Sequence, residues 1–387
     1  MHLLVSRSSS LNYSKIPSPC YVLEERKLIH NLELIRSIQE RSEITVILAL
    51  KGFAMFSAFP IVKQYLAGTT ASSLFEAMLA REEFGGELHL YLPVYQEHEF
   101  TALIQGAAHV TFNSLNQWQQ FKEQTLAAHV SPGLRINPEY SPVEHEIYNP
   151  ASSFSRLGIR AEVLGDRLPS GIEGLHCHNL CESDSYALAE TLEQIETRFG
   201  HFFPQVKWLN LGGGHLMTHS GYDVEHFIKV IADFKARHPH LKIYLEPGAA
   251  VVWEAGFLRA RVLDLIETPG VAIAMLDVSF TAHMPDCLEM PYQPKIRGAN
   301  EPSGTYTYRM GGLTCLAGDV MGMGDYAFAE PLQIGDTILF EDMMHYTMVK
   351  TSMFNGIQHP AIGILRQDGT FEPVRTFGYE DYKSRLS

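Results

Sequence analysis

Short apolar, β-rich runs alternate with longer stretches of helical period through most of the chain. The runs are ITVILAL (44–50), GTTASS (68–73), LHLYLPV (88–94), HVTFNS (109–114), GLRINP (133–138), GIEGLHCH (171–178), KWLNLGGG (207–214) and KIYLEPG (242–248). Between them lie amphipathic segments. A helix over 26–41 carries Leu28, Leu32 and Ile35 on one face, and Leu74 to Phe84 reads as another, stopped by Gly85-Gly86. Ser183 is the expected cap of a helix with Leu188, Leu192, Ile195 and Phe199 on one stripe, closed by Gly200. Val224, Phe227, Ile228, Ile231 and Phe234 form a further stripe, ended by Pro239.

Eight strand candidates separated by helices predict a (β/α)8 barrel, with an open doubly wound sheet as the competing arrangement. The pattern changes after about residue 270. Helical periodicity fades there, Gly and Pro become frequent, and AIAMLDVSF, YTYRMGG and DTILFEDM read as strands. The expected organisation is a barrel over 26–270 and a mostly β domain over 271–387, with the break at Thr268-Pro269-Gly270. Residues 1–25 are expected to join the β domain through a strand near Cys20 to Leu23.

Composition narrows the function classes. The 387 residues include 44 acidic and 30 basic groups, a net charge of −14. A nucleic-acid surface should be basic, so that class is excluded, whereas cationic ligands are permitted. Five cysteines, at 20, 177, 181, 287 and 315, contain no Cys-x-x-Cys pair, which favours a reducing compartment. MHLLVSRSSS lacks the apolar core of a signal peptide, and no run approaches the ~18 apolar residues of a membrane span. A soluble, cytoplasmic protein with no membrane association is expected.

A barrel places its chemistry at the C-terminal ends of its strands. Here Lys51 closes the first strand, and partial removal from water would lower its pKa and make its amine nucleophilic. His176-Cys177-His178 closes the sixth. Gly212-Gly213-Gly214 precedes a helix after the seventh, where backbone N–H groups can approach an anion. Glu246 closes the eighth, just before Pro247-Gly248. An amine, an imidazole, a phosphate cradle and a carboxylate are what pyridoxal phosphate requires. A metal-dependent hydrolase remains open on the same residues, with His176, His178 and His215 as ligands. In the first reading no metal is used.

The series ALKGF, GLHCHN, NLGGGH, LEPG, TCLAGD and HYTMVKTSMFNG resembles the alanine racemase-like, fold type III pyridoxal phosphate decarboxylases, over 18–356. These include the ornithine, diaminopimelate and carboxynorspermidine enzymes. LALKGFAM, ASSLFEA, REEFGGE, LHCHNLCE and TCLAGDVMG are most similar to the carboxynorspermidine branch. The resemblance implies that Lys51 holds the cofactor covalently and that His176 stacks on its ring. It implies that Gly212, Gly213, Gly214 and Gly248 bind the phosphate, that Glu246 faces the pyridine nitrogen, and that Tyr346 reaches the phosphate from the β domain. It further implies a homodimer with shared sites, in which Cys315 of the other subunit protonates the carbon that loses carbon dioxide.

Two departures stand out. Ala249 follows EPG where relatives often carry arginine, and Leu316 and Ala317 replace polar residues after Cys315, although Asp319 remains as a candidate substrate contact. The implied substrate is carboxynorspermidine or carboxyspermidine, whose cationic tail would meet Asp286 and Glu289. Diaminopimelate is the alternative, but its distal carboxylate would need a basic group. An acid at Glu246 strengthens the electron sink and argues against a racemase. A non-catalytic pyridoxal phosphate-binding protein would lack the β domain and Cys315.

Overall fold

The structure, a computed structural model, describes residues 15–143, 146–301 and 303–387. It divides into two compact units, Ile29–Trp253 and Met1–Leu28 with Glu254–Ser387.

The first unit is a parallel barrel. Its strands are β2 (Thr45–Val46), β3 (Leu48–Ala49), β4 (Gly68–Ala71), β5 (Glu87–Tyr91), β6 (His109–Phe112), β7 (Ser131–Arg135), β8 (Gly174–His176), β9 (Trp208–Asn210) and β10 (Lys242–Leu245), with β1 (Cys20–Glu24) lying outside it. They follow the order β2-β10-β9-β8-β7-β6-β5-β4-β3. The two end strands belong to one chain segment broken at Ile47, so the ring closes. On one side Ile47 N–H donates to Leu245 C=O at 3.0 Å and Ala49 N–H to Pro247 C=O at 3.1 Å; on the other, Leu50 N–H donates to Thr70 C=O at 3.2 Å. All eight strand regions read from the apolar runs are present.

The barrel interior is filled, so the site is confined to the strand ends. Trp208 projects across β7 and β8, where a Cβ on Gly133 or Gly174 would stand 2.3 and 1.9 Å from its ring. His109 stacks on Trp208 with ring centroids 4.5 Å apart. His89 packs on His109 at 4.1 Å and on Tyr244 at 4.7 Å. Between strands run the helices Leu74–Leu79, Leu115–Ala127, Ser185–Phe199 and Val224–Arg237. The helix Ser185–Phe199 buries Leu188, Leu192, Ile195 and Phe199. Its cap is Asp184 rather than Ser183: the Asp184 carboxylate accepts from the N–H groups of Tyr186 and Ala187. A carboxylate at the N-terminus also complements the helix dipole.

The second unit is a sheet in the order β14-β13-β12-β11-β1-β16-β17, with β15 pairing β11. The later strands are β11 (Gly256–Ile266), β12 (Ala272–Leu276), β13 (Tyr306–Gly311), β14 (Tyr326–Phe328), β15 (Thr337–Glu341), β16 (Ala361–Leu365) and β17 (Phe371–Arg375). Strand β1 inserts between β11, antiparallel, and β16, parallel. The expected boundary near residue 270 needs correction. The barrel unit ends at Trp253, and Thr268-Pro269-Gly270 is the turn of the antiparallel pair β11–β12. The Thr268 hydroxyl accepts from Gly270 N–H at 3.3 Å and Val271 N–H at 3.2 Å, which makes this a hairpin turn. Among the described residues no helix is long and apolar enough to cross a membrane.

Candidate active site

Lys51 emerges directly after β3, and its turn is held against the turn after β10. A Cβ on Gly52 would stand 2.9 Å from Gly248 Cα, so both positions need glycine for the backbones to approach. Lys51, Ala49, Thr70, Ser72, Tyr91, His176, His178, Gly213 and Glu246 line one cavity at this end of the barrel. Lys51 Nζ lies 3.3 Å from His178 Nε2. Withdrawal from water, and then the charge of Arg135, hold the Lys51 amine below the ordinary lysine range, against the opposing pull of Glu246.

His178 is itself held neutral: burial, followed by the charges of Lys51 and Arg135, pushes its pKa well down. Its Nδ1 meets Gly213 N–H at 3.2 Å and Gly213 C=O at 3.1 Å.

Glu246 is buried. One oxygen lies 3.2 Å from His176 Nε2, and the other accepts from Asn210 Nδ2 at 2.7 Å. Burial works against its charge, but the hydrogen bond from His176 and the remaining donors outweigh it, and its pKa is lowered to about 2. Burial keeps His176 below the usual imidazole range, so it pairs as a neutral donor to an ionised carboxylate. The His176 ring stacks on Tyr91 at 5.2 Å with planes 17° apart, and the Arg135 guanidinium lies 4.6 Å over the other ring of that stack, Tyr91.

The glycine turn differs in part from expectation. Gly212 N–H donates to Asn210 Oδ1 at 2.8 Å, and Gly213 N–H to His178 Nδ1 at 3.2 Å. Those two donors are therefore committed inside the protein rather than free for a phosphate. Close approach explains the residue type: a Cβ on Gly213 would meet Glu246 C=O at 2.4 Å, and one on Gly214, whose φ is +92°, would meet Leu180 C=O at 2.1 Å. Among the described residues the N–H groups of Gly214, Gly248 and Ala249 have no protein acceptor. Lys51 and the ionised, buried Glu246 line one cavity, and with three open backbone donors on the turns after β9 and β10 they make a set that fits pyridoxal phosphate.

The three histidines of the metal reading have separate partners: His176 faces Glu246, His178 faces Lys51, and His215 is buried with its ring against Phe227 at 6.4 Å. Among the described residues no group of three or more metal-ligating side chains comes together.

The remaining candidates lie in the sheet unit. Cys315 is exposed, and its N–H donates to Asn355 Oδ1 at 3.1 Å. Tyr346 opens the short helix Tyr346–Val349. Asp286 is buried; its Oδ2 accepts from Tyr292 OH at 3.0 Å and Thr347 Oγ1 at 2.7 Å, while Oδ1 has no hydrogen-bond partner. Glu289 pairs with Lys350 at the surface.

Asp319 requires a correction. One oxygen accepts from the N–H groups of Phe280 at 2.7 Å and Thr281 at 3.2 Å; the other accepts from Thr314 N–H at 2.9 Å and Thr314 Oγ1 at 2.7 Å. All of its acceptor capacity is used in tying its own loop to the helix Phe280–His283, so it is a folding element rather than a substrate contact.

Tyr91, Arg135 and Asn210 were not anticipated as site residues. The available signal was a polar or charged side chain inside an apolar parallel-strand run, as in GLRINP and KWLNLGGG.

The family described as pyridoxal-dependent decarboxylase, C-terminal sheet domain, matches residues 20–344. A carboxyaminopropylagmatine decarboxylase of Synechocystis sp. is 59% identical, with 96% of each chain covered. A carboxynorspermidine/carboxyspermidine decarboxylase of Campylobacter jejuni is 44% identical, covering 96% of this chain and 99% of the relative. The crystal structure of the Campylobacter jejuni carboxynorspermidine decarboxylase complexed with norspermidine superposes with a TM-score of 0.89 at 42% identity, covering 96% and 100% of the two chains. A diaminopimelate decarboxylase of Methanocaldococcus jannaschii shares the fold, with a TM-score of 0.80 at 18% identity over 97% and 93%.

Proposed function

This chain belongs to the pyridoxal-dependent decarboxylases, and from that premise we propose that it removes the carboxylate of carboxynorspermidine or carboxyspermidine in polyamine biosynthesis. It is a carboxy-lyase that uses pyridoxal phosphate. The observation carrying the substrate is the 44% identity to the Campylobacter jejuni enzyme over nearly the whole of both chains.

A second reading rests on its own observation. The Synechocystis relative, at 59%, acts by its name on carboxyaminopropylagmatine. That molecule shares the amino-acid head but ends in a guanidinium. A planar guanidinium selects for a bidentate carboxylate, whereas an ammonium is satisfied as a point charge. Kinetics decide between the two. The purified protein is given carboxynorspermidine, carboxyspermidine, carboxyaminopropylagmatine and diaminopimelate, and kcat/KM is compared. The highest value on either of the first two supports the main reading. The highest on the third supports the second reading, and turnover of diaminopimelate alone overturns both.

The cofactor, when bound, supplies a sink for the electron pair left by departing carbon dioxide. Lys51 would hold it, and Gly214, Gly248 and Ala249 would bind its phosphate through backbone N–H groups. Glu246, ionised at neutral pH, stabilises positive charge at the ring nitrogen it would face. His176 orients that carboxylate. Neutral His178 stands beside Lys51 Nζ without adding a second charge there. Cys315 is the proposed proton donor to the substrate carbon, and Tyr346 an additional phosphate contact. Asp286, with one unpartnered buried oxygen, is the proposed partner of the cationic tail.

We further propose a cytoplasmic homodimer. Leu313, Leu316 and Phe354 are exposed on the loops joined by the Cys315–Asn355 hydrogen bond. Apolar side chains around an exposed thiol are what a subunit contact would cover.

A further inference from the structure

We infer that Asn210 is a positioning residue that locks the carboxylate of Glu246 to the glycine turn, so that the two parts of the site which receive opposite ends of the cofactor move as one. The inference rests on the pyridoxal phosphate reading above.

Three hydrogen bonds form a closed ring. Asn210 Nδ2 donates to Glu246 Oε1 at 2.7 Å, Glu246 N–H donates to Gly212 C=O at 2.8 Å, and Gly212 N–H donates to Asn210 Oδ1 at 2.8 Å. Asn210 is only 2% exposed, so water does not substitute for either bond. Its two partners fix the amide orientation, because a carboxylate oxygen only accepts and a backbone N–H only donates. The role needs one donor and one acceptor on a short planar group. Aspartate keeps the acceptor but loses the donor; leucine keeps neither. Gly212 sits at φ +68°, a left-handed conformation that favours glycine.

Four titratable groups act on Glu246 besides Asn210's amide. His176 bonds it directly, and His89, His109 and Lys51 interact with it through space. None of the four links Glu246 to the turn, so among the described side chains around the carboxylate that link is Asn210's alone.

The test compares Asn210→Asp and Asn210→Leu with the wild type. The readouts are pyridoxal phosphate affinity by fluorescence, the pH dependence of the bound cofactor's absorbance, kcat against pH, and thermal stability. In Asn210→Asp two carboxylates share a proton, so Glu246 becomes fully ionised only at higher pH. The acid limb of kcat and the absorbance transition are expected to move up by about one pH unit or more. Cofactor affinity should stay within about threefold, since Gly212 N–H keeps an acceptor. In Asn210→Leu the affinity should weaken roughly tenfold, the worth of one buried hydrogen bond.

Wild-type affinity in Asn210→Leu together with an unmoved pH profile in Asn210→Asp overturns the inference, whatever happens to thermal stability. Failure of the wild type to decarboxylate any of the four substrates overturns the functional reading instead. The cofactor affinities and absorbance titrations then still decide the role of Asn210.

Discussion

Lys51 Nζ stands 3.3 Å from the Nε2 of a histidine, His178, that is kept neutral by the same surroundings that depress the lysine. Arg135 contributes to both effects, and its guanidinium donates to His178 C=O at 2.7 Å. The rate at which cofactor-free protein captures pyridoxal phosphate should therefore rise with pH through a midpoint below the usual lysine value of 10.5. Removing the Arg135 charge favours the protonated amine, so Arg135→Gln should shift that midpoint to higher pH. Stopped-flow absorbance measures it, and coincident curves would refute the electrostatic link. Lys51→Ala should abolish covalent retention and reduce turnover by more than about 10³-fold.

Glu246 gives a second pH prediction, for stability rather than for cofactor capture. Its carboxyl is lowered from 4.5 to about 2, so the unfolded chain binds its proton more readily than the folded one. The resulting stability is present above the unfolded value and is lost as pH falls towards the folded one. Thermal unfolding of the wild type should weaken between about pH 4.5 and about pH 2 more steeply than that of Glu246→Gln. Parallel slopes for the two proteins would show that this carboxylate does not gain from its partners. At neutral pH the same variant should lose roughly 10²-fold in kcat while keeping the cofactor.

Much of the architecture was legible because a parallel barrel is written in a simple code. Its buried strands are apolar runs of four to eight residues, and ITVILAL to KIYLEPG repeat that signal with helical stripes between them. The strand-end residues Lys51, His176 and Glu246 could be read for the same reason: they terminate the runs and line one cavity. The domain break could not, because Pro269-Gly270 punctuates a hairpin as strongly as it would a linker. Asn210 and Arg135 give no such signal, because a polar side chain within a strand pattern ordinarily faces solvent. Only closure of the ring turns both inwards. Gly212 and Gly213 show a related limit, since a glycine triplet signals close approach without saying whether a ligand or the protein itself is the neighbour.

Asp319 separates a folding role from a binding one. Three backbone N–H groups, of Phe280, Thr281 and Thr314, depend on its carboxylate. Asp319→Ala leaves them without an acceptor and should cost about 2–4 kcal/mol in denaturant unfolding. The ratio of kcat/KM between carboxynorspermidine and carboxyspermidine should not change. A selective rise in KM with undiminished stability would return Asp319 to the substrate site.

The two acids proposed for the cationic tail should behave differently. Asp286 is buried with one oxygen unpartnered, whereas Glu289 already holds Lys350 at the surface. An unpaired buried carboxylate gains most from a cation, and an exposed pair gains little. Asp286→Asn should raise KM for the polyamine substrate about tenfold, with cofactor absorbance intact. Glu289→Gln should alter KM by less than about threefold. Equal effects from both would indicate general electrostatic steering, which added salt would suppress in the wild type.

The proposed dimer makes a prediction that no monomeric arrangement can imitate. Lys51→Ala and Cys315→Ala should each abolish turnover, the first with loss of the bound chromophore and the second without it. If Cys315 serves the site of the neighbouring subunit, a mixed dimer contains one site with both substitutions and one with neither. Random reassortment of equal amounts makes half of the dimers mixed, so roughly a quarter of wild-type activity should return. If Cys315 serves its own chain, every site in the mixture keeps one defect and no activity returns. Mixing the two purified variants under conditions of subunit exchange, and following turnover with time, distinguishes these outcomes. Sedimentation analysis of the wild type shows separately whether the dimer exists at the assay concentration.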